Sequence, residues 1–234
     1  MSIATLVFED QHLHTHDLPQ WRRLVNDVLH WQEPLLHNHT PEGGEYHRYP
    51  LVQYRALAGR GALLGIGDGA HALLRVLPLL QAELGRATLQ MEEAAIQEGH
   101  YGYALYRWLA LNPANYHEWK QTTSLAAHVQ QLERILTGQL LGCLKTLEIE
   151  PLPKIVVEIQ HLDELGHFEI PTDKGTVSHL AFGVKFGCNV LLPAQLGIGK
   201  FSAKGYGILQ AVGVSPKPQP HVRAQQNQKS QKTG

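Results

Sequence analysis

Pro50-Leu51-Val52-Gln53-Tyr54-Arg55-Ala56-Leu57-Ala58-Gly59-Arg60-Gly61-Ala62-Leu63-Leu64-Gly65-Ile66-Gly67-Asp68 contains two short apolar runs separated by a glycine-bearing break. The runs predict strands over 50–57 and 62–66, and Gly59-Arg60-Gly61 suits the turn of a hairpin between them. Asp68 then caps a helix whose inward face carries Ala70, Leu73, Leu74 and Leu77, and Pro78 is expected to kink or shorten it. Upstream, Ala4 to Phe8 alternates as a strand. Asp17, with Pro19 and Gln20 behind it, reads as the N-cap of a helix carrying Leu18, Trp21, Leu24, Val25, Val28 and Leu29 on one face. That helix must end before Pro34, and a polar loop follows to Arg48. Downstream, a strand over 86–97 closes the unit. Strand, helix, strand, strand, helix, strand is the ferredoxin-like order, four antiparallel strands with both helices on one face.

A second unit follows on the same plan. A strand is expected over 101–111, then a loop, then a long helix capped by Ser124 with Leu125, Val129, Leu132, Leu136, Leu140, Leu144 and Leu147 as its apolar stripe. Gly138 and Gly142 lie inside this helix, where each costs about 1 kcal/mol against alanine. Close packing is the expected compensation, with approach to RNA as the other reading. Strands over 154–161, 178–192 and 206–214 complete the unit, and a glycine-rich loop occupies the place of its second helix. The expected fold is α+β, two tandem ferredoxin-like domains at 1–98 and 99–214 with the second degenerate. A disordered basic tail rich in Pro, Gln and Lys is expected over 215–234.

With 234 residues and 43% of them hydrophobic, the chain can bury a real core. No run approaches the roughly 18 uninterrupted apolar residues of a membrane span, and Met1 to Asp10 lacks a basic region leading into an apolar one, so a soluble cytoplasmic protein without a membrane partner is expected. Cys143 and Cys188 are too few for a disulfide framework or a four-thiolate zinc site. The net charge of −1 argues against binding a polyanion, but its distribution argues for it. No acidic residue follows Asp173, while eight lysines and arginines occupy the final 61 residues.

Leu36-His37-Asn38-His39-Thr40-Pro41-Glu42-Gly43-Gly44-Glu45-Tyr46-His47-Arg48-Tyr49-Pro50 concentrates three histidines, two tyrosines and an arginine between a helix and a strand. Histidine exchanges protons near neutral pH, and tyrosine donates to developing negative charge. Together they suit RNA cleavage by its own 2′-hydroxyl, which requires proton transfers and charge stabilisation but no metal. The competing reading for any one of these histidines is a hydrogen bond within a surface loop. A metal site is a further competitor, because the 15 histidines include His12-Leu13-His14-Thr15-His16 and His37-Asn38-His39. Neither run has carboxylates or thiols at ligand spacing, so no metal or other cofactor is expected.

Gly197-Ile198-Gly199-Lys200-Phe201-Ser202-Ala203-Lys204-Gly205-Tyr206-Gly207 holds four glycines and two lysines in eleven residues. Glycines let a backbone approach phosphates, and lysines supply charge. It fails the ATP-loop pattern at Ala194 and Phe201 and the dinucleotide pattern at Ser202. The alternative is a glycine-rich turn between strands.

At these segments the chain resembles the CRISPR-associated repeat-processing endoribonucleases of the Cas-six family, in particular the subtype I-B-like branch. Leu36-His37-Asn38-His39, Tyr46, Tyr49 to Arg55 and Gly65-Ile66-Gly67-Asp68-Gly69 resemble its N-terminal domain. Asn189 to Pro193, Leu196 to Lys200 and Lys204-Gly205-Tyr206-Gly207 resemble its C-terminal domain. The resemblance implies metal-free cleavage within the repeat of precursor guide RNA, leaving a 2′,3′-cyclic phosphate and a 5′-hydroxyl. It suggests His39 and Tyr46 as the catalytic pair with His37 assisting. Lys200 and Lys204 become RNA contacts, with Arg48 and the glycines Gly197, Gly199, Gly205 and Gly207 in the same interface. The implied partners are precursor and mature guide RNA and other subunits of an interference complex, with a homodimer left open. A repeat-RNA-binding assembly subunit with little or no cleavage fits the same residues, and a histidine-ligated metal hydrolase is the third reading.

Overall fold

The computed structural model describes residues 1–37, 49–147, 149, 154–172 and 175–212. Two antiparallel sheets organise them. The first contains β1 (Ser2–His12), β2 (Val52–Leu57), β3 (Arg60–Ile66) and β4 (Ala87–Glu93) in the spatial order β2-β3-β1-β4. The second contains β5 (Glu98–Trp108), β6 (Val157–Thr172), β7 (Gly175–Val190) and β8 (Ile208–Ala211) in the order β6-β7-β5-β8. In both, the unit's first strand lies between its third and fourth, which is the ferredoxin-like order. The fold is α+β with two such units, and in the second the loop after β7 replaces a helix with a single 3-10 turn at Ser202–Lys204.

The hairpin that suggested this plan is built at Ala58 and Gly59, whose φ of 49° and 74° make the left-handed two-residue turn that strand twist favours, with Leu57 opposite Arg60. Gly61 therefore belongs to β3. A Cβ there would come within 3.0 Å of the Trp21 ring, so the glycine makes room for the helix above it. That helix, α1 (Leu18–Val28), is followed by the short α2 (Pro34–His37); α3 is Asp68–Leu84. Leu18, Trp21, Val25, Leu73 and Leu80 pack with Ala4, Leu6 and Phe8 of β1 in one core.

Several helix details differ from expectation. Asp17 accepts from the His14 backbone N–H at 3.0 Å and closes a 3-10 turn, so it leaves α1 without a side-chain cap. Gly67, at φ 56°, is the N-cap of α3 in place of Asp68. Pro78 does not shorten α3, because continuing it buries Leu80 and Leu84, while Leu74 faces outward at 39% exposure.

In the second unit, α4 (Pro113–Gln121) occupies what reads as loop, capped by the Asn112 side chain. α5 (Leu125–Thr146) begins at its Ser124 cap. Leu132, Leu136, Leu140 and Leu144 of α5 share one core with Leu105, Phe182 and Val184 of the second sheet. Ile3, Leu64 and Ile66, on the first sheet's face opposite its helices, join the same core, so that core extends across both sheets. Among the described residues Gly138 and Gly142 do not meet the close-packing expectation, because a Cβ at either has no atom of them within 4 Å. The β6–β7 hairpin is longer than its two expected strands, and β8 is shorter. The expected tail over 215–234 lies outside the described residues.

Candidate nucleic-acid interface

The glycine-rich loop is closed on itself before it reaches anything else. The Gln195 N–H donates to Leu209 O, the Leu209 N–H to Leu196 O and the Ile198 N–H to Gly207 O, at 2.7–3.1 Å. It is then fastened to the first domain by Arg55 of β2, which is wholly buried. Arg55 Nε and Nη2 donate to Gln195 O at 3.0 and 2.9 Å, Nη1 donates to Ser202 O at 3.1 Å, and Nη2 also donates to Gln53 Oε1. Gln53 Oε1 accepts the Gly197 N–H at 2.9 Å, and the Tyr49 hydroxyl donates to Gly197 O at 2.9 Å. Burial lowers the Arg55 pKa to about 10. The guanidinium is thus a buried cation held by carbonyls and an amide.

Each expected RNA-facing glycine also has a packing reason. Cβ atoms would come within 2.8 Å of Arg55 Nη2 at Gly197, 2.8 Å of Trp108 Nε1 at Gly199, 2.2 Å of Leu18 Cδ1 at Gly205 and 2.1 Å of Ile198 O at Gly207. Gly199, Gly205 and Gly207 also have positive φ, which favours glycine. The loop's lysines point elsewhere. Lys200 is exposed and Lys204 half-buried, with Nζ atoms 5.4 and 4.9 Å from the Phe201 ring centroid. His179 packs edge-on against Phe201, and burial, then the charge on Lys200, lower its pKa.

Where the loop meets α1, a cavity of about 240 Å³ opens between the domains. Thr15, His16 and Arg22 line it from the first domain, and Arg107, Lys204 and Tyr206 from the second; among the described residues none of its lining side chains is acidic. Arg22 and Arg107 escaped the sequence reading. Their positions become conspicuous only when the two domains are brought together.

His37 is buried at the end of α2, its ring 5.8 Å from that of Trp31, and its backbone oxygen accepts from Arg22 Nη2 at 2.9 Å. His39, Tyr46 and Arg48 lie outside the described residues. In the other histidine run, His12 ends β1 and the rings of His14 and His16 stack at 5.5 Å. Among the described residues, no three His, Cys, Asp or Glu side chains gather into a metal-holding group. Cys143 and Cys188 are buried, and burial pushes their thiols up, that of Cys143 to about 12, so neither is an activated nucleophile. No described helix is long and apolar enough to cross a membrane.

The arrangement is a cationic cleft between two domains, and Arg22, one of its lining residues, donates to the backbone oxygen of His37 at the start of the histidine-rich loop. Residues 1–101 match the model of the Cas6b N-terminal domain, and residues 95–212 that of the Cas6b C-terminal domain. A crystal structure of Cas6b is similar with TM-score 0.75 and 19% identity, covering 90% of this chain and 99% of that one. A crystal structure of the CRISPR RNA processing endoribonuclease Cas6b is similar with TM-score 0.66 and 19% identity, covering 91% and 100%. An uncharacterized protein of Methanocaldococcus jannaschii, MJ0978, is 29% identical over 124 residues, which is 53% of this chain and 80% of its own length. With both domain models matched in order along the chain, the protein belongs to the Cas6b family.

Proposed function

We propose that the protein is an endoribonuclease that cuts within the repeat of CRISPR precursor RNA without a metal. The 2′-hydroxyl oxygen of the nucleotide 5′ of the cut attacks the adjacent phosphorus, and the bond to the 5′-oxygen of the next nucleotide breaks. The attacking hydroxyl gives up a proton and the leaving oxygen gains one. The products are a 2′,3′-cyclic phosphate and a 5′-hydroxyl. His39 and Tyr46 carry the proton transfers, with His37 assisting at the base of their loop, while Lys200, Lys204 and Arg48 hold phosphates. Family membership supports this reading, and one observation carries it. Arg22 both lines the cationic cavity and donates to His37 O, so a single side chain joins an anion-binding cleft to the entrance of the loop with His39 and Tyr46.

Replacing His39 by alanine should lower the single-turnover cleavage rate by about 100- to 10,000-fold, the usual loss for a general acid or base, with RNA affinity nearly intact. Tyr46→Phe should slow cleavage at unchanged affinity. Wild-type rates in His39→Ala would remove it from the chemistry, and a parallel loss of binding would make it an RNA contact.

A further inference from the structure

Arg107 stands out in the cavity because the backbone is bent to deliver it. The register of β5 against β7 jumps between Leu105, opposite Val184, and Trp108, opposite Phe182, so Tyr106 and Arg107 together face Gly183. This is a β-bulge, a device that re-aims a side chain. Arg107 has a φ of 54°, a left-handed conformation that a long side chain rarely adopts and glycine accepts freely. Its guanidinium carbon lies 4.7 Å from the ring centroids of both Phe168 on β6 and Tyr206 on the glycine-rich loop. Nη2 donates to the Tyr206 hydroxyl at 3.2 Å, and Nε is buried with no acceptor among the described residues.

Two aromatic rings flank the guanidinium carbon, and among the described residues Nη2 alone of its nitrogens makes a hydrogen bond. Among the described residues, neither Arg107 nor its cavity neighbour Arg22 forms an ion pair with a carboxylate. A planar donor array held this way, beside Arg22 and Lys204 and without a lining acid, matches a tetrahedral anion with several acceptor oxygens. We infer that Arg107 is a phosphate-binding residue, positioned by its bulge to hold one backbone phosphodiester of the RNA in the cavity between the domains. The inference rests on the RNA-binding reading above and adds to it a specific phosphate contact from β5.

The test compares wild type, Arg107→Gln, Arg107→Lys and Arg107→Gly on full-length repeat RNA. Arg107→Gly keeps the left-handed backbone without strain, so it retains the bulge if Arg107→Gln perturbs folding. Both charge-removing variants should weaken binding by about tenfold or more and flatten the salt dependence by about 0.7, one single-strand phosphate contact. Arg107→Lys, which keeps the charge but loses the planar fork, should fall between them and wild type. A series of RNAs each carrying one neutral methylphosphonate locates the contact. One position should weaken wild-type binding and have no further effect on Arg107→Gly. Unchanged affinity and salt slope in Arg107→Gly, or no position whose effect vanishes in it, would overturn the assignment while leaving the endoribonuclease reading in place. Wild type that binds no repeat RNA would overturn both.

Discussion

Arg55 shows how one side chain can decide the placement of a loop about 140 residues away. It is fully buried, and its partners are three backbone carbonyls, those of Gln195 and Ser202 across the domain boundary and of Tyr54 on its own strand, together with the Gln53 side-chain amide oxygen. Truncation to alanine should therefore cost about 1–3 kcal/mol for each carbonyl left unpaired. A fall in the midpoint of urea unfolding larger for Arg55→Ala than for Arg55→Lys is the expected result. An unchanged midpoint for both would show that the glycine-rich loop keeps its seat without Arg55. From sequence, Arg55 and Gln53 are polar residues among the apolar ones of one strand, and nothing local says what they meet. Arg107 is harder still to read, because its meaning depends on a bulge and on rings from β6 and the glycine-rich loop. The glycines of that loop were visible as a group, but phosphate approach and tight packing make the same demand on composition, and only the distances to Arg55, Trp108 and Leu18 expose the packing demand.

The elements were legible where one local signal runs unbroken. β2 and β3 follow from apolar runs on either side of a glycine-bearing break, α1 from its apolar face, and α5 from its Ser124 cap and leucine stripe. The β6–β7 hairpin did not, because register shifts between Ile159 and His161 and between Glu164 and Gly166 break the alternation that would have announced it. The missed α4 carried a usable signal, since Asn112-Pro113 is an N-cap followed by proline at the first helical position. The glycines inside α5 have the opposite lesson. Among the described residues both face open space, so their helix penalty is not offset by packing there. Gly138→Ala and Gly142→Ala should each stabilise the fold by up to about 1 kcal/mol, read as a higher thermal midpoint. Loss of stability in either would mean that the added methyl meets atoms of the chain outside the described residues.

Across the whole molecule, two ferredoxin-like units share a core and meet again at the seat of the glycine-rich loop, beside the cavity between them. The strand orders of both sheets follow the plan read from the sequence, and the degenerate second helix is the loop that Arg55 holds. The net charge of −1 gives no hint of the cavity, because the cations that line it are gathered from both domains by folding. The chemistry proposed for this interface makes the RNA supply its own nucleophile, and a single RNA modification therefore addresses it. A 2′-deoxy nucleotide immediately 5′ of the cut removes the attacking hydroxyl while leaving the phosphates and every other hydroxyl in place. In single-turnover assays with and without EDTA, the modified RNA should bind and compete with the normal substrate but remain uncut, and EDTA should not slow cleavage of the normal RNA. Efficient cutting of the deoxy-substituted RNA, abolished by EDTA, would contradict the account and point to a metal-bound water as the nucleophile.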